Sequence, residues 1–207
     1  MKSDTDIIYL DHAAATPMDE RVAAAMMPYF TEHFYNPSSP YAPALMVRRE
    51  YEAAKDTIAR SIGATSDEIV MTAGATESIN LAFGGVKGHV IVPSIEHHAV
   101  LAAAKRHDHS LVSPDHLGRI SAEAIKAELR PDTVLVSVAL ANNELGTIQP
   151  LRDIAQVLKA ERDRRFSIGD TTPLYLHSDA SQGVGLLDVN VARLGVDMLT
   201  INAAKVY

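Results

Sequence analysis

The chain has 207 residues, 47% hydrophobic and 22% charged, enough for one sizeable core with or without a small appendage. Its 19 basic and 26 acidic residues give a net charge of −7 with no basic stripe, which argues against a nucleic-acid binder, and no apolar run approaches the ~20 residues that cross a bilayer. There is no cysteine, so disulfides, thiolate metal sites and a thiol nucleophile are excluded within these residues.

The opening stretch MKSDTDIIYLDH is acidic where a signal peptide would be apolar, and it points to a cytoplasmic protein. Within it IIYL reads as a short strand. An alanine-rich helical stretch runs from Asp19 to about His33, followed by the Pro/Ser loop YNPSSPYAP. Val47, Tyr51, Ala54, Ile58 and Ile62 then recur at helical spacing, and Gly63 is a natural stop.

From there β-rich runs (EIVMT, HVIVP, SLVS, TVLVSVAL, LYLHS, DMLTI) alternate with helical ones (ATESINLAF, HHAVLAAAKR, SAEAIKAELR, LRDIAQVLKAERDRR). That alternation predicts an α/β fold: a three-layer α/β/α arrangement with a mostly parallel sheet. Several runs are apolar throughout, as doubly covered strands should be. The loop at 34–42 is the expected boundary. It separates an N-terminal arm and loop, residues 1–41, from an α/β domain over residues 42–207.

In open α/β sheets ligands bind beyond the carboxyl ends of the strands, so the loops there are where chemistry is sought. After EIVMT, Ala73-Gly74-Ala75-Thr76-Glu77 opens a helix whose free N–H groups could seat a phosphate. Thr76 and Glu77 could equally be mere caps. After HVIVP stands Ser94-Ile95-Glu96-His97-His98; the paired histidines lack a third ligand at metal spacing and read locally as a polar helix start. His107 and His109 read as solvated. Asn142 and Asn143 follow TVLVSVAL and could simply shape a turn. Asp179 ends a strand in an apolar setting and needs a partner for its charge. Lys205 follows the last strand. Together these five loops offer a phosphate seat, a flat ring, amides, a carboxylate and a lysine. That set matches pyridoxal 5'-phosphate, which needs an amine for its aldehyde and an acid partner for its ring nitrogen.

The blocks IYLDHAAATPMD, NPSS, IVMTAGATESINLAF, EHHAVL, VSVALANNELGTIQP, HSDASQGVG and DMLTINAAKVY resemble, in family order and over essentially the whole chain, the cysteine desulfurases. These are class V aminotransferase-type, pyridoxal-phosphate enzymes of fold type I. The resemblance implies that residues 42–207 are the large cofactor-binding domain, incomplete at its C-terminus, and that residues 1–41 lie on the small-domain side. It implies that Ala75 and Thr76 hold the phosphate and that His97 stacks on the pyridine ring. Asn143 and Gln182 would bond near the phenolic oxygen, and Asp179 would keep the ring nitrogen protonated. Lys205 would form the Schiff base and move the substrate's α-proton. The substrate would be L-cysteine, the product alanine, and the sulfur would pass to an enzyme cysteine and on to an acceptor or scaffold protein for iron–sulfur or other sulfur biosynthesis. The enzyme would be a homodimer.

Two departures stand out. The family has a serine, a small residue and a histidine before its lysine, where this chain has Asn202-Ala203-Ala204. Asn202, with two amide donors, is the residue expected to replace the missing phosphate contacts. The family's sulfur-accepting cysteine and substrate-gripping arginine lie downstream of its lysine, so the stop at Tyr207 reads as a truncation. The alternatives are another class V aminotransferase or lyase, or a non-catalytic fragment that binds cofactor or dimerises.

Overall fold

The structure is a computed structural model and describes residues 7–207. Five strands form one parallel sheet in the order β2-β1-β3-β4-β5: β1 (His89–Pro93), β2 (His109–Val112), β3 (Thr133–Ser137), β4 (Tyr175–Asp179) and β5 (Met198–Thr200). The chain thus runs from β1 out to β2 and returns past β1 to β3. Such a reversal leaves a crevice at the carboxyl ends of β1 and β3, where open α/β sheets bind ligands.

Among the described residues seven helices accompany the sheet: α1 (Glu20–Thr31), α2 (Ala42–Ile62), α3 (Ala75–Gly84), α4 (His98–Ala104), α5 (Ala122–Glu128), α6 (Leu151–Ser167) and α7 (Val191–Leu194). The core lies on both sheet faces. Alternate side chains of β1 divide between them: Val90 and Val92 pack with Ile79 and Phe83 of α3, while Ile91 packs with Ile125 of α5 and Ile154 of α6. Every residue of β1 and β3 is buried, which explains the apolar centres Val90–Val92 and Val134–Val136. Each fully buried Val, Ile or Phe contributes roughly 1.5–3 kcal/mol.

Polar cross-links sit inside this core. Arg165 of α6, 1% exposed, pairs with Glu161 at 2.9 Å and donates to the carbonyls of Thr133 and Arg130. Arg164 and then Arg165 hold the Glu161 carboxyl down at about 2. The buried His177 ring joins three strands, with Nδ1 2.8 Å from Ser137 Oγ and Nε2 2.9 Å from Thr200 Oγ1. Gln149 accepts from the Ile120 N–H and donates to the Gly118 carbonyl, both at 2.8 Å, which pins the segment before α5 to the loop after β3.

Two predicted strands do not form among the described residues. Ile7–Leu10 has no ladder partner, and Ile8 and Leu10 are exposed. In EIVMT, Glu68 ends a 3-10 turn (Ser66–Glu68); Ile69–Thr72 pairs with nothing, and Val70 is 72% exposed. A β-rich run becomes a strand only against a neighbour. The apolar stripe of α2 is buried at Val47 and Ile62, whereas Tyr51 and Ala54 are exposed. Gly63 does end the helix, in a left-handed conformation (φ 73°). His107 and His109 are half-buried rather than solvated, and the His107 ring lies 6.0 Å from that of Phe83.

Candidate active site

A cavity of about 550 Å³ opens at the carboxyl end of the sheet, within the size range of small-molecule sites. Ala75, Thr76, His97 and Asn143 line it, as do Asp179, Gln182, Asn202 and Lys205. All the residues singled out in the sequence therefore meet around one space. A larger open groove of about 1020 Å³ lies between α5 and α6. It is lined by charges of both signs, such as Arg119, Lys126, Asp153 and Glu161, and by none of these residues.

The first wall is the start of α3. Glu77 bends back to accept from the Ala73 N–H at 2.6 Å, and Thr72 Oγ1 bridges to Ser78 Oγ at 2.8 Å. Glu77 is thus a cap. The N–H groups of Ala75 and Thr76 and the Thr76 hydroxyl meet no acceptor or donor among the described residues. They are available to an anion at the positive end of a ten-residue helix.

His97 follows β1 and caps α4, its Nδ1 accepting from the Ala99 N–H at 3.1 Å. Nδ1 is therefore the acceptor, and Nε2 carries the proton in the neutral ring. Burial, with neighbouring His98 and Lys205, lowers the ring's pKa from its ordinary value, so the neutral ring is favoured. His98 is exposed, and no cluster of three metal-ligating side chains occurs among the described residues.

The two asparagines after β3 divide their roles. Asn142 is buried: its Nδ2 donates to the Ile95 carbonyl at 2.7 Å, and its Oδ1 accepts from the N–H groups of Glu144 and Leu145. It shapes the turn. Asn143 borders the cavity and makes no side-chain hydrogen bond among the described residues.

At the end of β4, Asp179 Oδ1 accepts from the Ser181 N–H at 2.9 Å, while its second oxygen has no partner among the described residues. Ser181 Oγ is buried at the cavity wall and also unpartnered. After β5, Asn202 Oδ1 accepts from the Ala204 N–H at 3.1 Å and fixes the 3-10 turn Ala203–Lys205, which leaves its Nδ2 free. Lys205 Nζ and Gln182 Nε2 both donate to the Ala13 carbonyl, at 2.7 and 2.8 Å. Thr16 joins the same turn through Ala204 and Tyr207. The segment around Ala13 thus forms part of the rim.

This donor set fits pyridoxal phosphate. Free N–H groups and a hydroxyl suit a dianion, an unpartnered carboxylate oxygen suits a pyridinium, and a primary amine at the far wall suits an aldehyde. Sequence reasoning passed over three elements of the site: Glu96, Ser181 and the Ala13 carbonyl. Glu96 had one signal, a carboxylate three residues past the fully buried strand β1.

Residues 8–207 match the aminotransferase class-V family. The chain is 40% identical over 210 residues to the putative cysteine desulfurase IscS 1 of Bacillus subtilis (strain 168), covering 96% of this chain and 52% of that one. It is 41% identical over 212 residues to the cysteine desulfurase IscS of Dictyoglomus turgidum, covering 97% and 51%. The chain spans about half the length of these curated relatives. Among solved structures, SspA in complex with cysteine superposes with a TM-score of 0.87 at 36% identity, over 96% of this chain and 58% of that one. DndA from Streptomyces lividans gives 0.75 at 35% identity, over 96% and 56%.

Proposed function

Because the chain belongs to the aminotransferase class V family, we propose that it forms the cofactor-binding portion of a pyridoxal-phosphate-dependent cysteine desulfurase. The carrying observation is the single cavity that gathers Thr76, His97, Asp179 and Lys205 from four separate loops. The similarity to IscS proteins and to a cysteine-bound neighbour supports L-cysteine as substrate and iron–sulfur assembly as the destination of the sulfur.

When bound, pyridoxal phosphate supplies an electron sink that stabilises the carbanion left when the substrate's α-proton departs. The start of α3, with Thr76 and Asn202, would hold its phosphate. Asp179 would sit against its ring nitrogen and keep the proton there. His97 would stack on the ring, with Asn143 and Gln182 near its phenolic oxygen. Lys205 would meet its aldehyde and, once freed by the substrate amine, carry the α-proton. In the net reaction L-cysteine and a thiol give L-alanine and a persulfide. The thiol must come from outside these residues, which contain no cysteine.

The proposed division puts residues 1–41 in an arm beside the site and 42–207 in the large domain; the start of α2 at Ala42 supports it. The complete gene product, loaded with cofactor and reduced with borohydride, should carry the adduct on Lys205, and the unreduced holoenzyme, with dithiothreitol added to reduce the persulfide, should turn L-cysteine into alanine in step with released sulfide. No adduct on Lys205, or a keto acid in place of alanine, would overturn the reading.

A further inference from the structure

Glu96 is 7% exposed and lies one residue before His97, in the turn between β1 and α4. Its Oε1 accepts from the Ala139 N–H, just past β3, at 2.8 Å. Its Oε2 is buried without a partner among the described residues. A second bond joins the same two loops in the same sense, from Asn142 Nδ2 to the Ile95 carbonyl at 2.7 Å. The crevice where the strand order reverses is thus stitched shut at its back, immediately behind His97.

We propose that Glu96 is a positioning residue that ties the β1–α4 turn to the end of β3 and so holds the His97 ring in the cavity wall. The structure also favours a neutral acid over an anion here. A buried carboxylate with one hydrogen-bond donor and no paired cation is heavily penalised. Titratable groups surround it on several loops: Glu144 after β3, Asp179 after β4, Lys205 after β5, and His97 and His98 on its own turn. Of these Asp179 reinforces the neutral form. Burial first, then Asp179, push the carboxyl up to about 8, against the opposing pull of the Ala139 N–H. Held neutral, Glu96 accepts its hydrogen bond without placing a second negative charge beside Asp179, the group assigned to the cofactor's ring nitrogen.

The sign of the resulting pH dependence is fixed. A carboxyl raised from 4.5 to about 8 keeps its proton in the folded protein while the unfolded chain has lost it. Its contribution is therefore fully present below 4.5 and is lost as pH rises towards 8.

The tie rests on the cofactor reading only in what it serves, so the test has two arms, both on the complete gene product. In the first, unfolding midpoints of cofactor-free wild type, Glu96→Gln and Glu96→Ala are followed from pH 5 to 9. Glutamine keeps the acceptor oxygen and never ionises. E96Q should hold its midpoint across the upper half of the range and exceed wild type at pH 9, while E96A falls below E96Q throughout. In the second, pyridoxal phosphate is titrated at pH 7. E96Q should bind within about twofold of wild type and E96A at least about fivefold more weakly, the equivalent of one hydrogen bond. Superimposable pH profiles for wild type and E96Q, or wild-type behaviour of E96A in both arms, would overturn the proposal. Failure of wild type to bind the cofactor would instead sink the cofactor reading, with the first arm still deciding the state of Glu96.

Discussion

His177 gives the sharpest test of the energetics beneath the site. Its ring is buried between Ser137 Oγ and Thr200 Oγ1 at 2.8 and 2.9 Å, one pleat before Asp179. Replacement by leucine keeps an apolar body but strands two buried hydroxyls. At about 1–3 kcal/mol for each unsatisfied group, the loss at pH 7.5 should be about 2–6 kcal/mol. Burial holds the ring's pKa down to about 4, from 6.5. The unfolded chain therefore takes up a proton before the folded one does, and wild type loses stability as pH falls through that window. The leucine variant lacks this term. Integrated between pH 7.5 and 5, wild type should lose about 2 kcal/mol of its advantage. Urea unfolding followed by far-ultraviolet circular dichroism at both pH values measures the gap. A wild-type advantage that is constant with pH would refute the argument, because the ring would then not be held neutral by its surroundings.

Two further outcomes are expected. Asn202→Ala removes the free amide donor at the cavity and should weaken pyridoxal-phosphate binding by roughly tenfold or more, the scale of one hydrogen bond to a charged group; unchanged affinity in a cofactor titration would leave Asn202 only its cap on Ala204. Gln149→Ala strands the Ile120 N–H and the Gly118 carbonyl and should cost about 2–4 kcal/mol in urea unfolding, whereas a loss below about 0.5 kcal/mol would mean that water replaces the amide.

Much of this was legible in the sequence for a physical reason. A doubly covered parallel strand is apolar at its centre, so the Val-Ile-Val and Val-Leu-Val of HVIVP and TVLVS announced themselves, and the residues just past these strands fall at the binding edge by topology alone. Less legible were properties that depend on neighbours far along the chain. IIYL and EIVMT have strand composition, but no strand lies beside them among the described residues. Glu96 reads as a polar helix start because its burial comes from Ala139 and Asn142, more than 40 residues away. Asn142 and Asn143 look alike in sequence, and only the fold turns one into the turn and the other towards the cavity.

The bond from Lys205 to the Ala13 carbonyl spans 192 positions of chain. Contacts of such separation form late, since closing the loop carries an entropic penalty before any contact rewards it. On the ribosome, at about 5–20 residues per second, the segment around Ala13 waits roughly 10–40 s for its lysine to be made. Throughout that interval the Ala13 carbonyl and the Thr16 hydroxyl lack their partners from the last turn. The cavity should therefore be the last part of the fold to become competent.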